Sequence, residues 1–177
     1  ELLFGNFETA IEHCDKSSDM IFFRIGQMSM PGDFSAGTEI ARLLQILPQA
    51  YVQSGNIERA LETATRATNF IKRRGGKKKQ IYGEALNVLG RLHAVAGNLD
   101  EAAEFLDQAS QLLKKLPGSH SSIKRSEFLV DQAVVHRSQG DFANAMLACN
   151  AALQLESKQP VARPSVLARA HRELAVC

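Results

Sequence analysis

Tryptophan is absent from this 177-residue chain, and all aromatic residues together make up only 6% of it. That excludes a core built around large rings, so the 45% apolar content has to pack through aliphatic side chains and alanine. Cysteine is scarce as well. Cys14, Cys149 and Cys177 are odd in number and far apart. This argues against a disulfide framework and for free thiols in a reducing, intracellular setting, cytoplasmic or nuclear. Neither sign of charge dominates, and a net charge of +2 is too small for bulk attraction to nucleic acid. No apolar run approaches the roughly 18–20 residues of a membrane helix, and no basic start followed by an apolar stretch marks a signal peptide. The chain opens without Met in mid-pattern, which predicts a piece of a longer protein.

Motifs of catalysis and of cofactor binding are missing too. There is no Gly-x-x-x-x-Gly-Lys-Ser/Thr loop, Gly-x-Ser-x-Gly elbow, His-Glu-x-x-His or Cys-x-x-Cys. His13 and Cys14 are adjacent, but helix neighbours point about 100° apart, so they cannot work as a base and its nucleophile. The expectation is a non-catalytic protein with no metal and no cofactor.

What the chain does have is one recurring phrase: a glycine, a polar residue, an apolar residue, then alanine three positions later. It reads Gly5-Asn6-Phe7…Ala10, Gly55-Asn56-Ile57…Ala60, Gly97-Asn98-Leu99…Ala102 and Gly140-Asp141-Phe142…Ala145. The glycines are 50, 42 and 43 residues apart, a period that signals a helical repeat. Each glycine sits between two apolar patterns of helical spacing, as a helix C-cap does. Ile81, Ala85, Leu86, Leu89, Leu92 and Val95 precede Gly97 at three- and four-residue steps, and Leu99, Ala102, Phe105, Leu106, Ala109 and Leu113 follow it. Asn98 is placed to cap the second of these helices, Asp100 and Glu101 complement its dipole, and Pro117-Gly118 stops it. The same reading predicts a helix from Gly5 to about Gly26, a loop through Met30-Pro31-Gly32-Asp33, and helices over 36–54, 56–73, 121–139 and 141–157. A last helix starts near Pro164. The units are about 1–30, 36–73, 79–116, 121–157 and a partial 163–177, in one solenoid.

These residues resemble tetratricopeptide repeats over essentially the whole chain. Leu86, Leu89, Gly90, Gly97, Ala102 and Ala109 fall in the family's register. So do Leu129, Ala133, Gly140, Ala145 and Ala152, and Leu44, Leu47, Tyr51, Gly55, Ala60 and Ala67. The period of about 42 looks like the long-helix sub-type of kinesin light chains and related adaptors. The resemblance implies an all-α fold, a right-handed superhelix of antiparallel helix pairs. Pro48 departs from the pattern and should kink its helix. His93 and His136 replace the usual tyrosine and are expected in core packing, as are Cys14 and Cys149. The 50-residue first spacing implies an insertion between Met28 and Gly37.

The resemblance further implies a concave face, lined by the first helix of each pair, where partner peptides bind. Mapped onto this sequence, its positions are Arg42, Gln45, Gln49 and Gln53, then Glu84, Asn87, Arg91 and Val95. Glu127, Val130, Asp131, Val134 and Arg137 follow, and Arg169 and Arg172 close the set. Gln45, Gln49 and Gln53 stand at four-residue steps, so their amides share a face and can bond an extended backbone. Asn87 and Arg91 are likewise one turn apart, and the arginines suit a two-pronged grip on carboxylates.

The run Lys72, Arg73, Arg74, Gly75, Gly76, Lys77, Lys78, Lys79 is a separate feature: a solvated loop or an electrostatic contact. No preceding strand makes it a phosphate loop, and no interleaved aromatics suit it to single-stranded nucleic acid. The leading expectation is a scaffold or adaptor that binds a protein or peptide partner, acidic groups being the natural complement. The alternatives are a structural segment of a multi-subunit assembly, and a sensor acting through the basic loop. Membrane and nucleic acid are not expected partners. The sequence leaves the oligomeric state open.

Overall fold

The computed structural model describes residues 5–27, 34–73, 80–115 and 119–177. Among them are eight helices and no strand: α1 (Gly5–Gln27), α2 (Phe34–Gln53), α3 (Ile57–Arg73), α4 (Gln80–Val95), α5 (Leu99–Lys114), α6 (Ser119–Ser138), α7 (Phe142–Ser157) and α8 (Pro164–Val176). They group into two compact units, residues 1–77 and 78–177.

The recurring glycines end α2, α4 and α6 for one physical reason. Gly55, Gly97 and Gly140 have φ of +78°, +83° and +80°, a left-handed conformation that is costly for residues with a Cβ. That geometry lets the amide after the glycine reach back along the helix. Asn56 N donates to Tyr51 O at 2.8 Å, Asn98 N to His93 O at 2.9 Å and Asp141 N to His136 O at 2.8 Å. The next helix then starts at once. Asn56 Oδ1 accepts from Arg59 N and Asp141 Oδ1 from Asn144 N, each at 3.2 Å, as N-caps. Asn98 corrects the expectation: it stands at the cap of α5 with backbone angles like those of Asp141, yet its side chain makes no capping bond.

In unit 1, α2 packs on α1 and on α3. The helix runs through Pro48 as one element from Phe34 to Gln53, and its start takes in residues 34–37 of the expected insertion. The expected loop at 30–33 lies outside the described residues. Leu43, Leu44, Leu47 and Tyr51 of α2 are buried, as are Ala60, Ala64, Ala67 and Ile71 of α3.

In unit 2, each helix packs on the next, and α6 also touches both α4 and α8. Thus α4, α6 and α8 form one row. Close approach of α4 to α5 depends on Gly90, where a Cβ would lie 2.6 Å from Leu106 Cγ. The core forms in pockets between neighbours: Leu86, Ala109, Leu113 and Phe128; Ala102, Leu106 and Val135; Val130, Ala152, Val166 and Ala170. A repeat array buries its apolar area in such successive seams. His93 is half-buried in one seam, its ring 5.2 Å from that of Phe105.

Candidate protein-interaction site

Because α4, α6 and α8 lie side by side, the polar residues mapped onto them can meet. Asn87, on the buried face of α4, donates from Nδ2 to Asp131 Oδ2 on α6 at 2.8 Å. Arg169 on α8 donates to the other oxygen, Oδ1. Arg91, one turn beyond Asn87, holds its Nε 3.9 Å from the same Oδ1. Mapped residues from three helices therefore meet at one buried carboxylate. Arg91 is the accessible member, with 58% of its side chain exposed. Asn87 is 5% exposed, and its Oδ1 has no hydrogen-bond partner among the described residues.

A second pair bridges the same row. Arg137 of α6 donates from Nε to Glu173 Oε2 of α8 at 2.7 Å, while the exposed Arg172 stays 3.9 Å from Oε1. A third cluster closes the start of α8. Arg163 bonds Glu127, Ser126 Oγ at 2.6 Å and Glu156 Oε1 at 2.7 Å, and its backbone N–H reaches Glu156 Oε2 at 2.8 Å. Ser126 Oγ adds a bond to Glu156 Oε1 at 2.5 Å. Burial by itself would raise the Glu156 pKa, but the bonds from Arg163 and Ser126 outweigh it and hold the carboxyl below its ordinary value.

The other mapped positions fall differently. Val130 has no exposed surface and packs against Ala152, Val166 and Ala170, so it is core and faces no ligand. Glu84 is half-buried and accepts from Gln80 Nε2 at 2.8 Å. Val95 is exposed and Val134 half-buried. Gln49 and Gln53 are exposed on α2 in unit 1, while the side chains of Arg42 and Gln45 lie outside what the structure describes. Lys72 and Arg73 are exposed in the last turn of α3; Arg74, Lys77, Lys78 and Lys79 fall outside the described residues. Burial pushes the Cys149 thiol up to about 11, so it is protonated at neutral pH. The described residues hold no metal-binding group of His, Cys, Asp or Glu, and no helix long and apolar enough to cross a membrane.

Arg163, Ser126, Glu156 and Glu173 are the residues that motif mapping misses. A signal for Glu156 is present: Ala145, Cys149, Ala152 and Glu156 form the buried face of α7. Glu156 stands 43 residues after Leu113, in the slot that leucine fills on α5. A carboxylate on a core face demands a cation, and Arg163 supplies it.

Residues 49–117, which include α3, α4, α5 and the end of α2, match the family model described as tetratricopeptide repeat. That stretch carries tetratricopeptide repeats. No curated protein is matched by the sequence. Among solved structures, BtubC (BKLC) from P. vanneervenii has a TM-score of 0.65 at 18% identity, over 86% of this chain and 61% of that one. This chain therefore spans less than two thirds of the length of BtubC. The nearly identical TPR-like repeats of Podosopora anserina, designated kinesin light chain, have a TM-score of 0.68, and a single-residue variant of them 0.70. Both are 19% identical and cover 98% of this chain and 78% of theirs. At such identities the likeness is one of fold: an all-α solenoid of tetratricopeptide helix pairs. The tetratricopeptide fold suggests, in general, a scaffold for protein–protein interaction.

Proposed function

We propose that the chain is a non-catalytic adaptor whose α4–α6–α8 face binds an extended segment of a protein partner carrying carboxylates. One observation carries this reading. Asn87 Oδ1 is a buried acceptor without a donor, one helical turn from an arginine whose guanidinium is exposed. A buried polar atom left unpaired costs about 1–3 kcal/mol, so the site gains when a ligand supplies an N–H. Oδ1 has almost no surface of its own, so a partner segment reaches it by parting the α4–α6 seam; its backbone amide then donates to Oδ1 and its acidic side chain pairs with Arg91. Arg137 and Arg169 are committed to Glu173 and Asp131, so they hold the face in shape and Arg91 selects.

Selection of a random peptide library on the immobilised chain, beside an Arg91→Glu form, tests this. Because the variant sets a second carboxylate near the buried Asp131, its melting curve is compared with that of the wild type before the selection is read. The expected result is acidic peptides on the wild type and their loss on the variant; equal recovery on both overturns the reading.

A second reading, assembly with other subunits, is favoured by α7. Its single charged residue, Glu156, is buried, while Phe142, Met146 and Leu147 are exposed. Apolar, charge-free surface of this kind marks interfaces. Sedimentation of the wild type against Leu147→Lys separates the two: association lost in the variant supports assembly, and a wild-type monomer at all concentrations removes self-association.

A further inference from the structure

One arrangement occurs twice on the α4–α6–α8 face: a buried carboxylate beside two arginines. Asp131 accepts from Arg169 and from Asn87 Nδ2, and Arg91 Nε stands 3.9 Å from its Oδ1. Glu173 accepts from Arg137 Nε at 2.7 Å, and Arg172 Nε stands 3.9 Å from its Oε1. Each carboxylate is thus bonded to one arginine, and the second arginine is the accessible one. The side chains of Arg91 and Arg172 are 58% and 69% exposed. With two guanidiniums against one carboxylate, each cluster carries one positive charge in excess.

A second observation points to a ligand here. Asn87, bonded to Asp131 in the first cluster, is 5% exposed, and its Oδ1 meets no donor among the described residues. The separation of the clusters then limits what can engage both. On α6, Asp131 and Arg137 are six residues apart, a rise of about 9 Å. Glu173 lies across the seam to α8, at most one interhelix step of ~8–10 Å to the side. The two exposed guanidiniums are therefore ~10–15 Å apart.

We infer that the partner segment carries two acidic side chains four residues apart, one pairing with Arg91 and the other with Arg172. This rests on the proposed binding of acidic segments by the face, and adds to it a second contact and a register. An extended chain advances ~3.3 Å per residue and alternates its faces. Positions i and i+2 then span only ~7 Å and i and i+6 reach ~20 Å, whereas i and i+4 span ~13 Å on one face. One anionic group is too small to bridge the clusters. Arg169 and Arg137 stay on their buried carboxylates, so the incoming acids neutralise the excess charge without breaking the bonds that tie α6 to α8.

Two peptides of one composition test the register: acetyl-Ser-Glu-Ser-Gly-Ser-Glu-Ser-amide and acetyl-Ser-Ser-Glu-Glu-Gly-Ser-Ser-amide. Each is titrated into the full chain while the Nε–H resonances of Arg91 and Arg172 are followed by NMR. The spaced peptide should shift both resonances saturably and bind about two- to fivefold tighter than the adjacent one. Arg172→Gln should remove that difference and keep the shift at Arg91; Arg91→Gln should remove it and keep the shift at Arg172. The comparison on the wild type needs no variant, so it stands even if a substitution alters the fold. Equal affinities for the two peptides overturn the register, and if both then weaken in Arg91→Gln, acidic binding at one point survives. Saturable binding of neither peptide removes the register and the acidic-ligand reading together. Inorganic phosphate that shifts both resonances with the affinity of the spaced peptide overturns the inference in favour of two separate anion contacts.

Discussion

Asn87 donates a 2.8 Å hydrogen bond to Asp131 across the seam between α4 and α6, so two residues mapped as ligand contacts are first of all contacts to each other. The bond satisfies one half of the Asn87 amide and leaves the other half unpaired. The same side chain thus stiffens the repeat interface and presents an unmet acceptor.

A double-mutant cycle on that pair measures the first role. Asn87→Ala and Asp131→Ala should each destabilise the fold. Their coupling should be about 1.5–3 kcal/mol, as for a hydrogen bond to a charged group. Urea denaturation gives the four stabilities. Additivity within about 0.5 kcal/mol would remove the pair from any account of repeat coupling.

Gly90 is fixed by space. An added Cβ meets Leu106 Cγ at 2.6 Å and Ala102 O at 3.1 Å. Overpacking of about 1–3 kcal/mol should exceed the ~1 kcal/mol that alanine gains in helix propensity. Gly90→Ala therefore lowers the melting temperature, and Leu106→Ala in the same chain costs less than the sum of the two. A stabilised Gly90→Ala would show that α4 and α5 are not held this close.

Gly97 is fixed by backbone conformation instead. Nothing lies within 4 Å of a Cβ there, but φ is +83°. Gly97→Ala should cost about 1–2 kcal/mol, and Gly97→Asn less, because asparagine tolerates the left-handed region. Equal melting points for alanine, asparagine and wild type would contradict the left-handed cap.

Glu156 gives the fold an acid-sensitive element. Its carboxyl is held below the ordinary carboxylate value in the folded state. The stability it contributes is therefore fully present above the unfolded pKa, about 4.3, and is lost as pH falls through the lower folded value. Melting curves of wild type and Glu156→Gln between pH 7 and 3 should differ most at neutral pH and converge on acidification. A gap that stays constant with pH would mean that the carboxylate charge is not what Arg163 stabilises.

The helices were legible because their signals are local. Glycine followed by a polar cap and then alanine at fixed steps marks where α2, α4 and α6 end and where the next helix begins, to within a residue or two. Asn98 shows the edge of that legibility: its position is that of a cap, but the side-chain torsion that makes the bond is not written in the spacing. The candidate site was legible in membership and only partly in role. Spacing puts Asn87 and Arg91 one turn apart, but it cannot say that Asp131 and Arg169 from two other helices will take up their polar groups. Val130 has the same helical phase as a contact position, yet α7 and α8 close over it.

The sequence by itself determined the period, the helix ends and the small residues that permit close pairing, since each depends on backbone conformation within a few neighbours. Only the tertiary structure decided which arginines are already paired, which carboxylates are buried and which acceptor is left open. Those outcomes depend on side chains some 30 to 44 residues apart meeting across a seam. Burial then sets whether a charge is a ligand contact or a strut, because a desolvated carboxylate must find its cation inside the protein while an exposed arginine such as Arg91 remains available to a partner.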